Sequence, residues 1–379
     1  MELVSEDLLR LNILMANRPL AIRLDEGTLT LWGLMATGEA KVSLHPPAKP
    51  APYCKQVREY LSGQVLGSPG GYPVFLRRWT RMGQMRDESL AQLLLLGEPE
   101  AVVAAASAPG LTDELARRVW WCWQDADIAR HMLTRPAVAA GSMGLVLADY
   151  LVQHLPFDAD PEAAAESVRL VLQPGLLDQA VGQGLWRKAA QRTAYLVGFL
   201  GAAPPAWPVL PPPRPDWQPL VRELGPLADQ GNPPARLLLD WAQPEGQAYL
   251  GALDQILARP PSLDLLARTL DLLRERLGAA RPEGNPDLPL PDLAQDAEHH
   301  CGPAAPSDWS ACLAAAPDRR GDLLALRVLS GLGYGVLRPL IRDTSVSGAL
   351  LRRKLMPVTE CLRGHVRVLL GGTDSARPA

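Results

Sequence analysis

The chain of 379 residues has little cysteine and no long apolar run. Its five cysteines are scattered and form no Cys-x-x-Cys pair, which argues against a disulfide framework and favours a reducing compartment. The longest apolar stretches, around 93–96 and 195–203, are far shorter than the roughly 20 residues that a bilayer-spanning helix needs. The N-terminus carries acids at Glu2, Glu6 and Asp7 and lacks the early positive charge of a signal peptide. These absences predict a soluble, cytoplasmic protein with no membrane partner.

A charge excess is also lacking. The 38 basic and 41 acidic residues leave a formal net charge of −3, so no global positive field exists to attract nucleic acid. Catalytic signatures are missing too, because the chain has no Gly-x-Ser-x-Gly elbow, no His-Glu-x-x-His pair and no convincing dinucleotide fingerprint. The sequence therefore predicts neither an enzyme, nor a cofactor, nor a small-molecule substrate.

A helical pattern with one short β segment dominates the chain. Residues 20–24 and 29–32 alternate with the two-residue period of half-buried strands around a turn at 25–27, and 41–44 supplies a third strand. A helix over 5–17 or 52–65 would cover this meander. We predict a mainly α-helical fold, with a helical array, a small N-terminal antiparallel β meander and a second helical domain after a proline-rich linker.

The most informative feature is a diverged internal duplication in the first half of the chain. The matched positions are Leu90, Gln92 and Leu94 with Leu151, Gln153 and Leu155; Pro99-Glu100-Ala101 with Pro161-Glu162-Ala163; Pro109-Gly110-Leu111 and Asp113 with Pro174-Gly175-Leu176 and Asp178; and Trp120 with Trp186. Repeats of this size are typical of stacked helices that present a binding surface.

Composition then suggests where the domains end. Seven prolines fall within 201–217, which is typical of a semi-rigid linker. The predicted divisions are 1–70 for the first helix, the meander and its covering helix, 71–200 for the duplicated array, 201–217 for the linker, 218–370 for a C-terminal helical domain and 371–379 for a disordered tail.

One segment could bind an anion or RNA. A glycine-rich turn can direct backbone amides at a phosphate, and arginines beside an aromatic ring can hold phosphates and stack a base. The alternative is a tight structural turn followed by a solvated face with Trp79 in the core. The candidate binding segment comprises Gly67, Gly70, Gly71, Arg77, Arg78, Trp79, Arg81 and Arg86.

Cysteines and histidines offer two further candidates. Cys54 beside Lys55 and Cys361 near Arg363 are the candidate reactive thiols, since a nearby cation favours a thiolate. By contrast, Cys122 lies among tryptophans, and we expect it to be buried and inert. The run 292–301 has metal-ligand residue types, but its spacing matches no standard zinc motif, so we predict a polar loop there.

The chain resembles the DsrS family, whose members are encoded with the dissimilatory sulfite reductase system of sulfur-oxidising bacteria. The resemblance rests on Ser5–Asn12, Pro19–Arg23, Val65–Val74, Arg77–Gln84, Arg86–Val103, Ser167–Leu176 and Thr193–Leu200. It covers about residues 1–200 and implies a cytoplasmic accessory protein of sulfur oxidation. This family has no established reaction, so no catalytic residue is carried over.

Three hypotheses on function follow. The first is a non-catalytic accessory or regulatory protein that binds another protein of the sulfur-oxidation system. The second is an RNA-binding post-transcriptional regulator that uses the candidate binding segment. The third is a sulfur-transfer protein that uses a single cysteine, either Cys54 or Cys361.

Overall fold

A computed structural model describes residues 3–67, 87–340 and 348–372. The chain is mainly α-helical, with a small three-stranded antiparallel sheet near its N-terminus and a second helical region, and this confirms the predicted fold class. Its residues divide into two compact units, Met1–Pro156 and Phe157–Ala379.

The first unit begins with one helix and the sheet and continues as a series of helices. Its elements are α1 Ser5–Ala16, β1 Ala21–Asp25, β2 Thr30–Met35, β3 Gly38–Ser43, α2 Pro50–Leu66, α3 Asp87–Leu93, α4 Pro99–Ala106, α5 Asp113–Cys122, α6 Ala126–Leu133, α7 Pro136–Ala139 and α8 Ser142–His154.

The sheet has β2 at its centre, antiparallel to both neighbours. Arg23 pairs with Trp32, and Trp32 pairs with Lys41, so these three side chains share one face. The opposite face carries the core of this region. That core consists of Leu11, Leu14, Ile22, Leu31, Val42, Leu44, Tyr53, Val57 and Leu61.

Helix α1 packs closely against the core face. A Cβ atom at Gly33 would lie 2.8 Å from Leu14 Cδ1, so the absence of a side chain there permits this approach. The helix expected over 5–17 is found at Ser5–Ala16, and Val4 is its N-cap. Asp7, in the first turn of this helix, is fully buried and accepts a hydrogen bond from the Tyr53 hydroxyl.

The second unit contains helices with short 3₁₀ turns between some of them. Its α-helices are α9 Pro161–Val171, α10 Gln179–Ala189, α11 Thr193–Leu200, α12 Trp217–Asp229, α13 Pro233–Ala242, α14 Pro244–Ala258, α15 Leu263–Arg276, α16 Leu290–His300, α17 Ser307–Ala315, α18 Arg320–Ser330, α19 Tyr334–Leu337 and α20 Gly348–Leu369.

The division between the units differs from the predicted linker at 201–217. Residues 201–216 have no helix or strand, but α11 before them packs against α14 and α15 after them. Arg214 within the segment is buried, and its Nη2 lies 2.7 Å from Asp322 Oδ2. The proline content of residues 201–217 indicates a stiff connection. The helices before and after this segment pack against each other, so the segment lies within one compact unit. The predicted array 71–200 is instead divided after Pro156.

The matched residues of the duplication occupy similar places on their helices. Pro99 begins α4 and Pro161 begins α9, and each follows an extended N-cap residue. Asp113 is the first residue of α5, whereas Asp178 is the N-cap of α10. The local order of helices is thus repeated, while the two copies fall largely in different compact units.

Candidate functional site

The solvent side of the sheet carries a row of alternating rings and cations, here called the indole–cation row: Lys41, Trp32, Arg23 and Trp121. Strand register supplies the first three, because Arg23, Trp32 and Lys41 lie directly opposite one another on adjacent strands. Trp121 comes from the last turn of α5, which packs against β1.

Distances within the row are those of cation–π contacts. Lys41 Nζ lies 5.3 Å from the centroid of the Trp32 ring. The Arg23 guanidinium carbon lies 6.0 Å from the Trp32 centroid and 5.0 Å from that of Trp121. Such contacts are worth about 0.5–1 kcal/mol each at exposed sites. The row therefore holds two indoles and a guanidinium in fixed orientations.

Hydrogen bonds fix Trp121 at the end of the row. Arg23 Nη1 donates to the Trp121 carbonyl at 3.2 Å, and the Trp121 indole N–H donates to Glu39 Oε1 at 2.6 Å. Helix α5 is itself well anchored, since the hydroxyl of its N-cap Thr112 accepts from Leu115 N–H. The row is thus built from β1, β2, β3 and α5 together.

Beside the row lies a cleft of about 330 Å3, here called the Trp123 cleft. Its lining comprises Ile22, Arg23, Leu24, Asp25, Gly97, Glu98, Pro99, Val102, Cys122 and Trp123. Trp123 remains 41% exposed at the cleft, whereas Ile22 and Val102 are buried. A volume of this size is at the small end of ligand clefts and would accept one bulky side chain of a partner.

Cys122 lies in the same cleft, and the structure confirms that it is buried. Its thiol donates to the Ile22 carbonyl at 3.8 Å. Burial raises the pKa of this thiol to about 12. It remains protonated at neutral pH, so it contributes packing rather than a nucleophile to the cleft.

Most of the candidate binding segment falls outside the described residues: this applies to Gly70, Gly71, Arg77, Arg78, Trp79, Arg81 and Arg86. Gly67 is described and follows the end of α2. It adopts a left-handed conformation with φ of 64°, and its N–H donates to the Gly63 carbonyl. At this position glycine acts as a helix C-cap.

The two candidate thiols differ in accessibility. Cys54 is only 1% exposed on the core side of α2, and burial raises its pKa, so the expectation of a reactive thiol there is wrong. Cys361 is exposed on α20, although desolvation raises its pKa as well. The nearby cation Arg363 is bound to Asp254, with Nε 2.9 Å from Oδ1.

Residues 292–300 lie on α16 and not in the predicted polar loop, because Leu293 and Ala297 are buried on one helical face. Arg281 and Arg327 donate to Asp296 Oδ2 at 2.7 and 2.9 Å. Burial opposes ionisation of Asp296, but the guanidiniums outweigh it and lower its pKa. Within the described ranges, no three His, Cys, Asp or Glu side chains are grouped to hold a metal ion.

We did not predict the indole–cation row from the sequence, although the sequence pattern indicates part of it. The alternation that predicted β1 and β2 also places Arg23 and Trp32 on the same face. What the sequence did not supply was the strand register and the position of Trp121, which depends on a helix that begins at residue 113.

Comparison with known proteins identifies no relative: no family model matches the chain, and neither does any curated protein or solved structure. In the part of the chain that the structure describes, no single helix has both the length and the apolar composition for a bilayer crossing. One helix pair, Pro317–Ser330 with Tyr334–Leu340, meets those criteria jointly but is bent by 91°.

Proposed function

We propose that this protein is a non-catalytic accessory or regulatory protein that binds a partner protein through the Trp123 cleft and the adjoining indole–cation row. Tryptophan and arginine are the residues most enriched among those that dominate protein-binding energy. Here Trp123 and Arg23 meet at one cleft, with Trp32 and Trp121 beside it. This juxtaposition is the observation that carries the proposal.

Charge supports a protein partner over a nucleic acid. The cleft lining combines one cation, Arg23, with the acids Asp25 and Glu98. A phosphate backbone requires a surplus of positive charge, which this mixed lining does not provide. Mixed charge around an apolar floor is the usual composition of a protein-binding surface.

The resemblance to the DsrS family supplies the proposed setting. On that basis, the partner belongs to the cytoplasmic sulfur-oxidation system, and binding would affect its assembly, amount or activity. The resemblance covers the segment from Pro19 to Arg23 and the run up to Val103, which include parts of β1 and of α4 at the cleft.

The test is affinity purification from the native host grown on reduced sulfur, with mass spectrometry and RNA sequencing of the same eluate. We expect one or more proteins to be enriched by the wild-type chain and lost with Trp123→Ala. A matched control is Tyr334→Ala, which removes a 53% exposed aromatic from the second unit and should retain the partner.

Two outcomes would contradict the proposal. One is a set of captured proteins that is identical for wild type and Trp123→Ala, since the cleft would then be dispensable. The other is enrichment of RNA without any protein, which would favour the RNA-binding hypothesis.

A further inference from the structure

Helices α13 and α14 of the second unit meet with no loop between them. Gln243 is at once the C-cap of α13 and the N-cap of α14, and Pro244 begins the second helix. Asp240 lies in the last turn of α13, and Glu245 lies in the first turn of α14. The two carboxylates are thus carried to the same helix junction.

A cleft of about 360 Å3, here called the junction cleft, opens at this point. Leu237 and Trp241 belong to its apolar lining, and its charged residues are Asp240, Glu245 and Arg276. The arginine is the last residue of α15. A volume of this size is near the small end of ligand sites, so the cleft suits a small molecule better than a polymer.

The three charged side chains of the junction cleft form no ion pair with one another or with any other described residue. This holds for both carboxylates, Asp240 and Glu245, and for the Arg276 guanidinium. By contrast, Arg268 on the same helix is paired, with Nη2 3.1 Å from Glu166 Oε2. Opposite charges therefore line one cleft without neutralising each other, and a ligand that carries both charges would bridge them.

Arg276 is held by an aromatic ring. Its guanidinium carbon lies 4.7 Å from the centroid of Tyr249, which is fully buried and packs edge-to-face on Trp241 at 5.2 Å. Such a contact orients a guanidinium and leaves its N–H groups available for a carboxylate. The buried Tyr249 hydroxyl also lacks a hydrogen-bond partner in the part of the chain that the structure describes. The surroundings of Arg276 therefore have unused hydrogen-bonding capacity.

Asp240 is the carboxylate that gains most from a cation. Desolvation raises the pKa of its carboxyl, and the charge of Arg236 opposes this effect. Arg236 forms no ion pair with it and instead donates from Nε to the Ala228 carbonyl at 2.8 Å. A carboxylate that has lost water without gaining a bonded cation is stabilised by a cationic ligand group.

We propose that the junction cleft binds a free α-amino acid with an apolar side chain. The Arg276 guanidinium holds the α-carboxylate as a bidentate pair, and Asp240 and Glu245 receive the α-ammonium. The apolar side chain packs on Trp241. This small-molecule site is separate from the Trp123 cleft, because all of its lining residues belong to the second unit.

The experiment titrates L-leucine into the full chain by isothermal titration calorimetry, together with two analogues that each lack one charge. Isocaproate keeps the carboxylate and lacks the ammonium, whereas isoamylamine keeps the ammonium and lacks the carboxylate. We expect L-leucine to bind about tenfold or more tightly than either analogue, since each analogue leaves one charged contact unmade.

Variants of the full chain assign the contacts. Arg276→Gln and Asp240→Asn should each weaken L-leucine binding by about tenfold or more. Both change exposed side chains, so the fold should be retained. Arg268→Gln is the matched control, because this arginine lies on the same helix but outside the cleft, and it should bind L-leucine as wild type does. Trp123→Ala should also bind L-leucine normally, which separates this site from partner capture.

Three results would overturn the proposal. One is the absence of binding by L-leucine, L-valine and L-phenylalanine alike. Another is an analogue with a single charge that binds as tightly as L-leucine, since the cleft would then not recognise both charges. The third is unchanged L-leucine binding in both Arg276→Gln and Asp240→Asn, which would place the amino acid elsewhere on the chain.

Discussion

Asp7 shows how much a single buried side chain depends on distant parts of the chain. Its Oδ2 accepts from the Tyr53 hydroxyl at 2.6 Å and from His45 N–H at 2.7 Å, and its Oδ1 lies 3.0 Å from His45 Nδ1. Burial opposes its ionisation, but these bonds outweigh that effect and lower its pKa. The carboxylate therefore joins α1, α2 and the segment after β3.

Removing the Tyr53 hydroxyl should destabilise the fold. Tyr53→Phe leaves a buried carboxylate short of one donor, so we expect the free energy of unfolding to fall by about 1–3 kcal/mol. Urea denaturation measures this change. The control is Tyr60→Phe, whose hydroxyl bonds Asn12 at the surface and whose loss should change stability by less than about 0.5 kcal/mol. Equal losses in both variants would contradict the role assigned to Asp7.

Asp216 should make part of the stability pH-dependent. The Arg214 guanidinium donates to it at 2.6 Å, and this bond, opposed by burial and assisted by Arg319, lowers its pKa from 3.8 to about 2. A carboxyl with a lowered pKa stabilises the fold above its ordinary pKa and loses that contribution as the pH falls through the lowered value.

The measurement compares wild type with Asp216→Asn by denaturant unfolding from neutral pH down to pH 2. We expect the variant to be less stable at neutral pH and the difference to shrink between pH 3.8 and about 2. Asp229→Asn, at the exposed end of the same helix, should show no such convergence. A constant difference across this range would exclude an ion-pair origin.

At the scale of elements, the join between α13 and α14 depends on close packing at Gly246. A Cβ atom at Gly246 would lie 2.5 Å from the Asp240 carbonyl oxygen and from Trp241 Cα, and both are backbone atoms that cannot turn aside. Gly246 thus permits α14 to begin directly after α13. By contrast, a Cβ atom at Gly251, on the same helix, would meet nothing within 4 Å.

Alanine substitutions at these two glycines should have opposite effects. We expect Gly246→Ala to lower the free energy of unfolding by about 1–3 kcal/mol, because backbone must shift. Gly251→Ala should be neutral or stabilise by up to about 1 kcal/mol, since alanine is the better helix former. Thermal and urea unfolding of both variants gives the comparison, and a loss at Gly251 as large as that at Gly246 would be inconsistent with this packing.

Elements were easier to predict than their packing. The two-residue alternation around Arg23 and Trp32 identified the strands, because this signal is local. The role of Asp7 depends on Tyr53, which lies 46 residues away, and no local pattern encodes that pairing. The same reason explains the error at 201–217: proline is a local signal, whereas Arg214 binds Asp322 across 108 residues.

At the scale of the whole molecule, thiol accessibility reports on both compact units at once. Four of the five cysteines are buried and only Cys361 is exposed. We expect a thiol reagent to modify one cysteine per native chain and all five after unfolding. The reaction at Cys361 should be slow at neutral pH, because desolvation raises its pKa.

Cys361→Ser is the matched control and should leave no accessible thiol in the native protein. Exposure of the wild type to a sulfane donor tests the sulfur-transfer hypothesis in the same way, with intact mass as the readout. Rapid modification of Cys54 in the native state would contradict the burial of that residue. A persulfide at Cys361 would support the sulfur-transfer hypothesis.

The covering of the β1 edge has a consequence for protein synthesis. Ribosomes make the chain from its N-terminus, so β1, β2 and β3 emerge well before Leu94 and Cys122, which cap the backbone of Ile22. During that interval the nascent sheet exposes its β1 edge to other nascent chains and to chaperones. During synthesis the first unit therefore passes through a stage in which the β1 edge is uncovered, and this stage ends only when α5 has been made.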